Sequence, residues 1–268
     1  FHRVFWAAVI LWAYVLWRGF RPPRGVRVWA IFLVMGALNN AIPFALITWG
    51  QTEIESGLAS ILNATTAFFG ILVAAICLSD EGLTARRIAG VALGVIGVAV
   101  IIGPEALSGF DPRALGQVAI LGAALSYSFA GVWAKTRMAG MTPAVSAAGM
   151  LTGSTLIMGP IAWLTEGPPD TDLSLTTIGA LVYCAVIGTV CAYLLYYRIL
   201  AAAGSGNLML VTVMMPPISI FLGVAVLGED LAPSVYLGCG LIVLGLMTLD
   251  GRAAGWLAGR LRGPSKAP

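Results

Sequence analysis

Long apolar runs, separated by short segments rich in charge, glycine and proline, dominate the sequence. Nine of them have roughly the 20 residues that a helix needs to cross a bilayer: 4–20, 28–50, 56–78, 86–103, 114–136, 142–165, 176–199, 204–227 and 234–250. Strands of a membrane barrel would be about 10 residues long with alternating polarity. Helices satisfy their own backbone hydrogen bonds in lipid. The pattern therefore predicts an all-α polytopic membrane protein.

Composition supports this prediction and excludes several other classes. The chain is 59% hydrophobic and 10% charged, whereas soluble domains carry about 25% charged residues. This excludes a soluble globular enzyme, a disordered chain and a nucleic-acid binder. The single histidine, His2, argues against a histidine-rich metal site, and the four cysteines lie in apolar runs without zinc spacing. We therefore predict no metal, no cofactor and no catalytic residue.

The positions of lysine and arginine predict the orientation in the membrane. If residues 18–27 are cytoplasmic, thirteen of the 15 basic residues lie in cytoplasmic loops or in the basic tail 252–268. Only Arg3 and Arg113 then lie outside. This orientation places the C-terminus in the cytoplasm.

An internal repeat relates the two halves of the chain. Residues 28–97 align without a gap with 176–245, at an offset of 148 residues. Span borders coincide, and so do the residues of three pairs: Glu81 and Glu229, Gly90 and Gly238, Gly97 and Gly245. We expect the two glutamates to be loop or helix-capping carboxylates. We expect the glycines to form a helix-packing face, together with Gly94 and Gly240.

The repeat predicts the domain organisation. Residues 1–105 form a first repeat with four spans, and 106–251 form a second repeat with five. We expect the first helix of the first repeat to be missing from the sequence. Because five is odd, the two repeats have opposite topology, as in many secondary transporters.

Three segments of each half resemble the EamA-type repeat of the drug/metabolite transporter superfamily. In the first half they are SGLASILNATTAFF at 56–69, Asp80-Glu81-Gly82-Leu83 and Gly90–Gly97; in the second they are Gly204–Pro216, Gly228-Glu229-Asp230-Leu231 and Gly238–Gly245. The resemblance implies an exporter of amino acids, drugs or other small metabolites in a bacterial inner membrane. It departs at Ala67, where the family often has proline, and this weakens the expectation of a helix break in span 56–78.

Polar side chains inside apolar spans are the candidate solute ligands, because lipid disfavours them. We expect six to line a substrate cavity: Asn39, Asn40, Asn63, Tyr127, Tyr193 and Asn207. The alternatives are interhelical hydrogen bonds for the asparagines, a close helix contact along the face of Ser60 and Asn63, and an interfacial aromatic belt for the tyrosines. Asn39 and Asn40 are about 100° apart on a helix, so both need not face one space.

Three prolines predict helix breaks or gating positions: Pro43, Pro216 and Pro217. Pro43 lacks an N–H and would leave the Asn39 carbonyl without its helical partner. That carbonyl and the Asn39 amide could together bind an ammonium or amide group.

The chemistry of the spans favours particular solutes. No Asp, Glu, Lys or His falls at the middle of a span, which favours neutral, zwitterionic or weakly cationic compounds over phosphates. We therefore expect a secondary transporter that exports amino acids or similar metabolites by alternating access. An amphipathic-drug exporter, a non-transporting scaffold and a membrane-embedded enzyme are the alternatives. The expected partners are a small solute and lipid, and formation of a homodimer stays open.

Overall fold

The computed structural model describes residues 1–79, 82–103, 112–168 and 173–250, with backbone only for 196–213. Within these ranges the regular secondary structure is helical, and there is no strand. The α-helices are α1 His2–Trp17, α2 Val26–Gly36, α3 Ile42–Gly50, α4 Ser56–Asn63, α5 Thr66–Cys77, α6 Ala85–Ile102, α7 Pro112–Arg137, α8 Pro143–Glu166, α9 Leu175–Val182, α10 Ala192–Leu227 and α11 Pro233–Asp250. Two π-helical segments, π1 Ala37–Ala41 and π2 Tyr183–Cys191, connect α2 to α3 and α9 to α10.

Within the described ranges, seven helical segments are long and apolar enough to cross a membrane. They match seven predicted spans: Val26–Gly50, Ser56–Cys77, Ala85–Ile102, Pro112–Arg137, Pro143–Glu166, Leu175–Leu195 and Pro233–Asp250. Of the other two predicted spans, 4–20 corresponds to a shorter apolar helix, His2–Trp17, and 204–227 forms the C-terminal part of α10. The all-α membrane architecture is confirmed.

One predicted loop is absent. The interruption expected between 199 and 204 does not occur, because α10 runs continuously from Ala192 to Leu227. At 1.5 Å per residue its 36 residues extend about 54 Å, well beyond a hydrocarbon core of about 30 Å. Glycines at this junction did not end the helix, since glycine is tolerated inside helices at a modest cost.

The chain forms two compact units, and each contains helices from both predicted repeats. Unit 1 comprises Phe1–Ala45 and Phe129–Gly204, and unit 2 comprises Leu46–Ser128 and Ser205–Pro268.

Unit 1 is built around α8. Helix α1 buries one face at Val4, Ala7, Leu11 and Val15, which recur at helical spacing. Helix α2 lies so close to α8 that a Cβ atom on Gly153 would fall 2.9 Å from the Leu33 Cα atom. Backbone approach of this kind is typical of membrane helices that meet at small residues.

In unit 2, glycines bring α6 and α11 together. A Cβ atom on Gly97 would lie 2.8 Å from the Gly238 oxygen, and one on Gly245 would lie 2.7 Å from the Gly90 oxygen. The repeat offset relates Gly97 to Gly245 and Gly90 to Gly238. It therefore maps the first of these contacts onto the second, so the pair of helices is two-fold symmetric. The helices run antiparallel, as inverted repeats require.

The predicted glycine packing face is confirmed at five of its six positions. A Cβ atom on Gly94 would meet the Phe68 ring, and Gly90, Gly97, Gly238 and Gly245 face backbone atoms of the opposite helix. At Gly240 the prediction is wrong, because nothing lies within 4 Å of the added atom.

The span 56–78 is broken although Ala67 replaces the proline of the family. Helix α4 ends at Asn63 and α5 begins at Thr66. The Thr65 Oγ1 donates to the Leu62 oxygen at 2.6 Å, and the Thr66 Oγ1 donates to the Asn63 oxygen at 2.6 Å. Threonine hydroxyls that bond backward to carbonyls in this way compete with the helical backbone. They provide a reason for the break that does not involve proline.

Glu229 caps a helix, as predicted. Its Oε1 accepts a hydrogen bond from the Ser56 N–H at 2.8 Å and its Oε2 accepts one from the Gly57 N–H at 2.9 Å. These amides open α4, where the helix dipole favours a negative charge. The repeat-related Glu81 lies outside the described residues.

Candidate functional site

The two π-helical segments lie at equivalent positions of the repeat. Segment π1 is centred on Asn39 and π2 on Ile187, which are 148 residues apart. In π1 the Ile42 N–H bonds to the Ala37 carbonyl, five residues back. Segments with this widened hydrogen bonding occur frequently at functional sites. Pro43 lies two residues after π1, but π2 forms without any proline.

Asn39 and Tyr193 meet across unit 1. The Asn39 Nδ2 donates to the Tyr193 hydroxyl at 3.1 Å and to the Met150 sulfur at 3.2 Å. Asn39 lies in π1, and Tyr193 lies two residues after π2. Among the described residues nothing donates to the Asn39 Oδ1, so this acceptor is available to a ligand. Both side chains are partly exposed.

Arg3 joins the same two helical segments. Its Nε donates to the Thr189 Oγ1 at 2.9 Å and its Nη2 donates to the Gly188 oxygen at 3.4 Å. The guanidinium carbon lies 4.5 Å from the centre of the Phe44 ring, within the range of a cation–π contact. Thr189 lies in π2, and Phe44 lies three residues after π1. We name Arg3, Asn39, Phe44, Thr189 and Tyr193 the polar cluster.

The register of these contacts shows that the two spans cross antiparallel. Asn39 pairs with Tyr193, whereas Phe44 and Thr189 share Arg3. In a given direction, residue numbers therefore increase along one span and decrease along the other. Phe44 is five residues from Asn39 and Thr189 is four from Tyr193, so the Arg3 contacts lie about one helical turn, or roughly 6 Å, from the amide–phenol pair.

Asn40 makes a different contact from Asn39. Its side chain is 1% exposed, and its Nδ2 donates to the Ser154 Oγ of α8 at 2.9 Å. The Ser154 hydroxyl is also within bonding distance of the Met150 and Gly36 carbonyls. For Asn40 the geometry favours the interhelical bond over cavity lining.

Asn63 and Tyr127 belong to unit 2, whereas the polar cluster belongs to unit 1. The Asn63 Oδ1 is buried without a hydrogen-bond partner in the described structure. On the same face, the Ser60 hydroxyl lies 2.6 Å from the Ser219 hydroxyl, and the Ser128 hydroxyl donates to the Thr66 carbonyl at 3.1 Å. These contacts favour a helix-packing face at Ser60 and Thr66. Tyr127 is half-buried on α7.

Asn207 lies in α10, and its side chain falls outside the described residues. Pro216 and Pro217 lie inside the same helix, which continues through both of them. Gating at these prolines stays a prediction.

A cavity of about 410 Å³ lies at one end of unit 2. Its lining includes Glu55, Arg113, Gln117 and Asp230, and the Arg113 Nη2 lies 2.8 Å from the Glu55 Oε2. None of the predicted solute ligands with a described side chain is among its lining residues.

Arg3, Thr189 and Met150 are not among the residues predicted to bind solute. Arg3 precedes the first apolar run by one residue and carries no motif. A signal for Thr189 did exist, because the repeat offset pairs it with Ala41 at the end of π1. Met150 is 3% exposed and its role as an acceptor depends on packing alone. The described residues contain no group of three or more metal-ligating side chains.

The repeated all-helical architecture, with polar side chains between irregular helical turns, is that of an integral membrane protein. A sequence profile described as the EamA-like transporter family matches residues 1–103 and 114–249. The chain belongs to this family, and its relatives are transporters of the drug/metabolite transporter superfamily.

Three relatives illustrate the match. Protein PecM of Dickeya dadantii is 28% identical over 220 residues, which are 81% of this chain and 71% of the relative. A protein named "Probable amino-acid metabolite efflux pump" from Escherichia coli is 28% identical over 224 residues, 80% of this chain and 73% of the relative. A "Probable terminal-alkyne amino-acid exporter" from Streptantibioticus cattleyicolor is 29% identical over 245 residues, 88% of this chain and 78% of the relative.

One solved crystal structure is similar in fold. It superposes with a TM-score of 0.63 over 92% of this chain and 85% of the other, at 18% sequence identity.

Proposed function

We propose that the protein exports small neutral or zwitterionic metabolites, amino acids or similar compounds, across the bacterial inner membrane by alternating access. Family membership supports transport, and the names of the two relatives described as an efflux pump and an exporter favour outward movement of amino-acid compounds. The observation that carries the proposal is the contact between Asn39 and Tyr193 at 3.1 Å. It places an amide and a phenol inside two apolar spans.

The chemistry of this pair suits an uncharged or zwitterionic solute. The free Asn39 Oδ1 accepts from an ammonium or amide group, and the phenol both donates and accepts. The Phe44 ring lies beside the polar atoms, is partly exposed and offers apolar surface to a side chain. The π-helical turns on both spans are natural places for a local change of helical register during transport.

The proposed orientation places the C-terminus in the cytoplasm. Glu55 pairs with Arg113, and Glu229 bonds to the Ser56 amide. With residues 18–27 in the cytoplasm, the alternation of the predicted spans puts all four residues at external loops or helix ends, and these contacts require them to share one side. The agreement supports the predicted order of crossings.

Transport in proteoliposomes tests the proposal. Full-length protein would be reconstituted, and flux of a labelled panel of L-leucine, L-methionine and L-phenylalanine measured with and without a pH gradient. We expect saturable flux, with a KM about five-fold higher in Tyr193→Phe because one hydrogen bond is worth about 1 kcal/mol. Asn39→Ala should raise KM further. The matched control is Tyr236→Phe, which removes the same hydroxyl from a half-exposed tyrosine on α11.

Unchanged kinetics in Tyr193→Phe and Asn39→Ala would overturn the assignment of the site. Saturable flux of an amphipathic amine, without flux of any amino acid, would identify a drug exporter instead. A scaffold or a membrane-embedded enzyme predicts no flux of either kind.

A further inference from the structure

We infer that Arg3 binds the carboxylate of the transported solute, so that the polar cluster selects zwitterionic amino acids over amines and amides. This inference rests on the proposed function and adds the chemical group that the site recognises.

The Arg3 guanidinium, which the charge pattern placed outside the membrane, contacts residues well inside two other spans. Thr189 is at least six residues from either described end of the span Leu175–Leu195, and Phe44 is six residues from the end of Val26–Gly50. At 1.5 Å per residue, these partners lie at least about 9 Å inside their spans. A cation at such depth is costly unless it meets water, a counter-charge or a ligand, and such residues mark substrate pathways.

The partners of Arg3 are neutral. They are the Thr189 hydroxyl, the Gly188 carbonyl and the Phe44 ring. Within the described residues no carboxylate pairs with the guanidinium. Its side chain is exposed, so the charge is accessible and uncompensated.

The contacts also orient the guanidinium. The Nε and one N–H of Nη2 are directed at π2, where the Thr189 hydroxyl is fixed by donating to the Cys184 carbonyl at 2.9 Å. The Phe44 ring covers one face. This leaves the edge formed by Nη1 and the second N–H of Nη2 as a two-donor fork, which matches the two oxygens of a carboxylate.

The structure also offers a binding position for the ammonium group of an amino acid. The free Asn39 Oδ1 and the Tyr193 hydroxyl lie about one helical turn from the Arg3 contacts, or roughly 6 Å along the spans. A zwitterion can bridge this separation, with its carboxylate at the fork and its ammonium at the amide oxygen. Amides and decarboxylated amines lack the anion, and amphipathic cations bring a charge that the guanidinium repels.

The test compares L-leucine with L-leucinamide, which differ in the carboxylate alone. Full-length protein is purified, and binding and proteoliposome flux are measured for both compounds in the wild type, Arg3→Gln and Arg3→Lys. We expect the wild type to prefer leucine. In Arg3→Gln the affinity for leucine should fall about ten- to a hundred-fold, as for a lost charge-assisted fork, with leucinamide changed by less than about three-fold. Arg3→Lys keeps the charge without the fork and should recover part of the preference.

The control is Arg87→Gln. Arg87 donates to the Gly82 carbonyl beside α6, far along the sequence from the polar cluster, and its removal should leave the leucine to leucinamide ratio unchanged. A purely structural Arg3 predicts equal losses for both compounds in Arg3→Gln, and that result would overturn the inference.

The outcomes separate the two proposals. If the wild type carries leucine and leucinamide equally well, transport stands and the carboxylate assignment fails. If the wild type neither binds nor carries any amino acid of the leucine, methionine and phenylalanine panel, amino-acid export fails and the Arg3 assignment fails with it.

Discussion

The glycine contact between α6 and α11 predicts opposite effects for two alanine substitutions on one helix. In Gly238→Ala the new Cβ atom would lie 2.6 Å from the Gly97 oxygen and 3.0 Å from the Ile101 Cδ1. The oxygen belongs to a backbone and cannot rotate away, so the helices must separate. In Gly240→Ala nothing lies within 4 Å of the new atom.

The magnitude follows from two terms. Alanine is favoured over glycine inside a helix by about 0.5–1 kcal/mol, and this term is common to both variants because both residues lie on α11. Overpacking a close contact costs about 1–3 kcal/mol. We therefore expect Gly240→Ala to match or exceed the wild type in stability, and Gly238→Ala to fall below Gly240→Ala by about 1–3 kcal/mol.

Unfolding in mixed micelles by SDS titration, followed by helical circular dichroism, measures this difference. Gly97→Ala gives an independent check, because its Cβ atom would meet the Gly238 oxygen at 2.8 Å. The Gly97→Ala/Gly238→Ala double variant should lose less than the sum of the single losses, since both substitutions separate the same helices. Equal stability of Gly238→Ala and Gly240→Ala would refute the close contact.

Two further substitutions test other contacts by the same unfolding assay. Glu229→Gln removes the charge that accepts from two amides at the start of α4, and should destabilise by about 1–2 kcal/mol; Asp230→Asn, one residue on, is the control and should change stability by less than about 0.5 kcal/mol. A smaller loss in Glu229→Gln than in the control would contradict the capping role. Ser154→Ala removes the hydroxyl that accepts from Asn40 and should cost about 1 kcal/mol, and an unchanged stability would show that the bond contributes nothing.

Part of the candidate site was predictable, and the reason is chemical. Asparagine and tyrosine inside apolar spans are conspicuous, so Asn39 and Tyr193 were selected from their residue type and position alone. Their contact was not predicted. The position of Pro43 singled out the Asn39 carbonyl, but only the neighbouring helix showed that the Asn40 amide is buried in an interhelical bond.

Other features escaped prediction because their cause lies in local hydrogen bonding rather than in residue type. The break after Asn63 arises from threonine hydroxyls that bond to carbonyls three residues back. The π2 segment contains no proline, so residue type did not predict it. Gly240 has a different cause. Both Gly238 and Gly240 are glycines of α11, and only the position of α6 shows that Gly238 is in close contact and that Gly240 faces open space.

The sequence by itself determined the class of protein, the segments that cross the membrane and the repeat that relates the two halves. It could do so because the free energy of transferring a residue into lipid depends mainly on that residue, and these free energies add along the chain. Only the tertiary structure decided which faces of the helices meet, and hence that Arg3, Asn39 and Tyr193 join the same two spans. A membrane helix is apolar on all sides, so hydropathy leaves its rotation unspecified, and packing of small residues and polar side chains sets it instead.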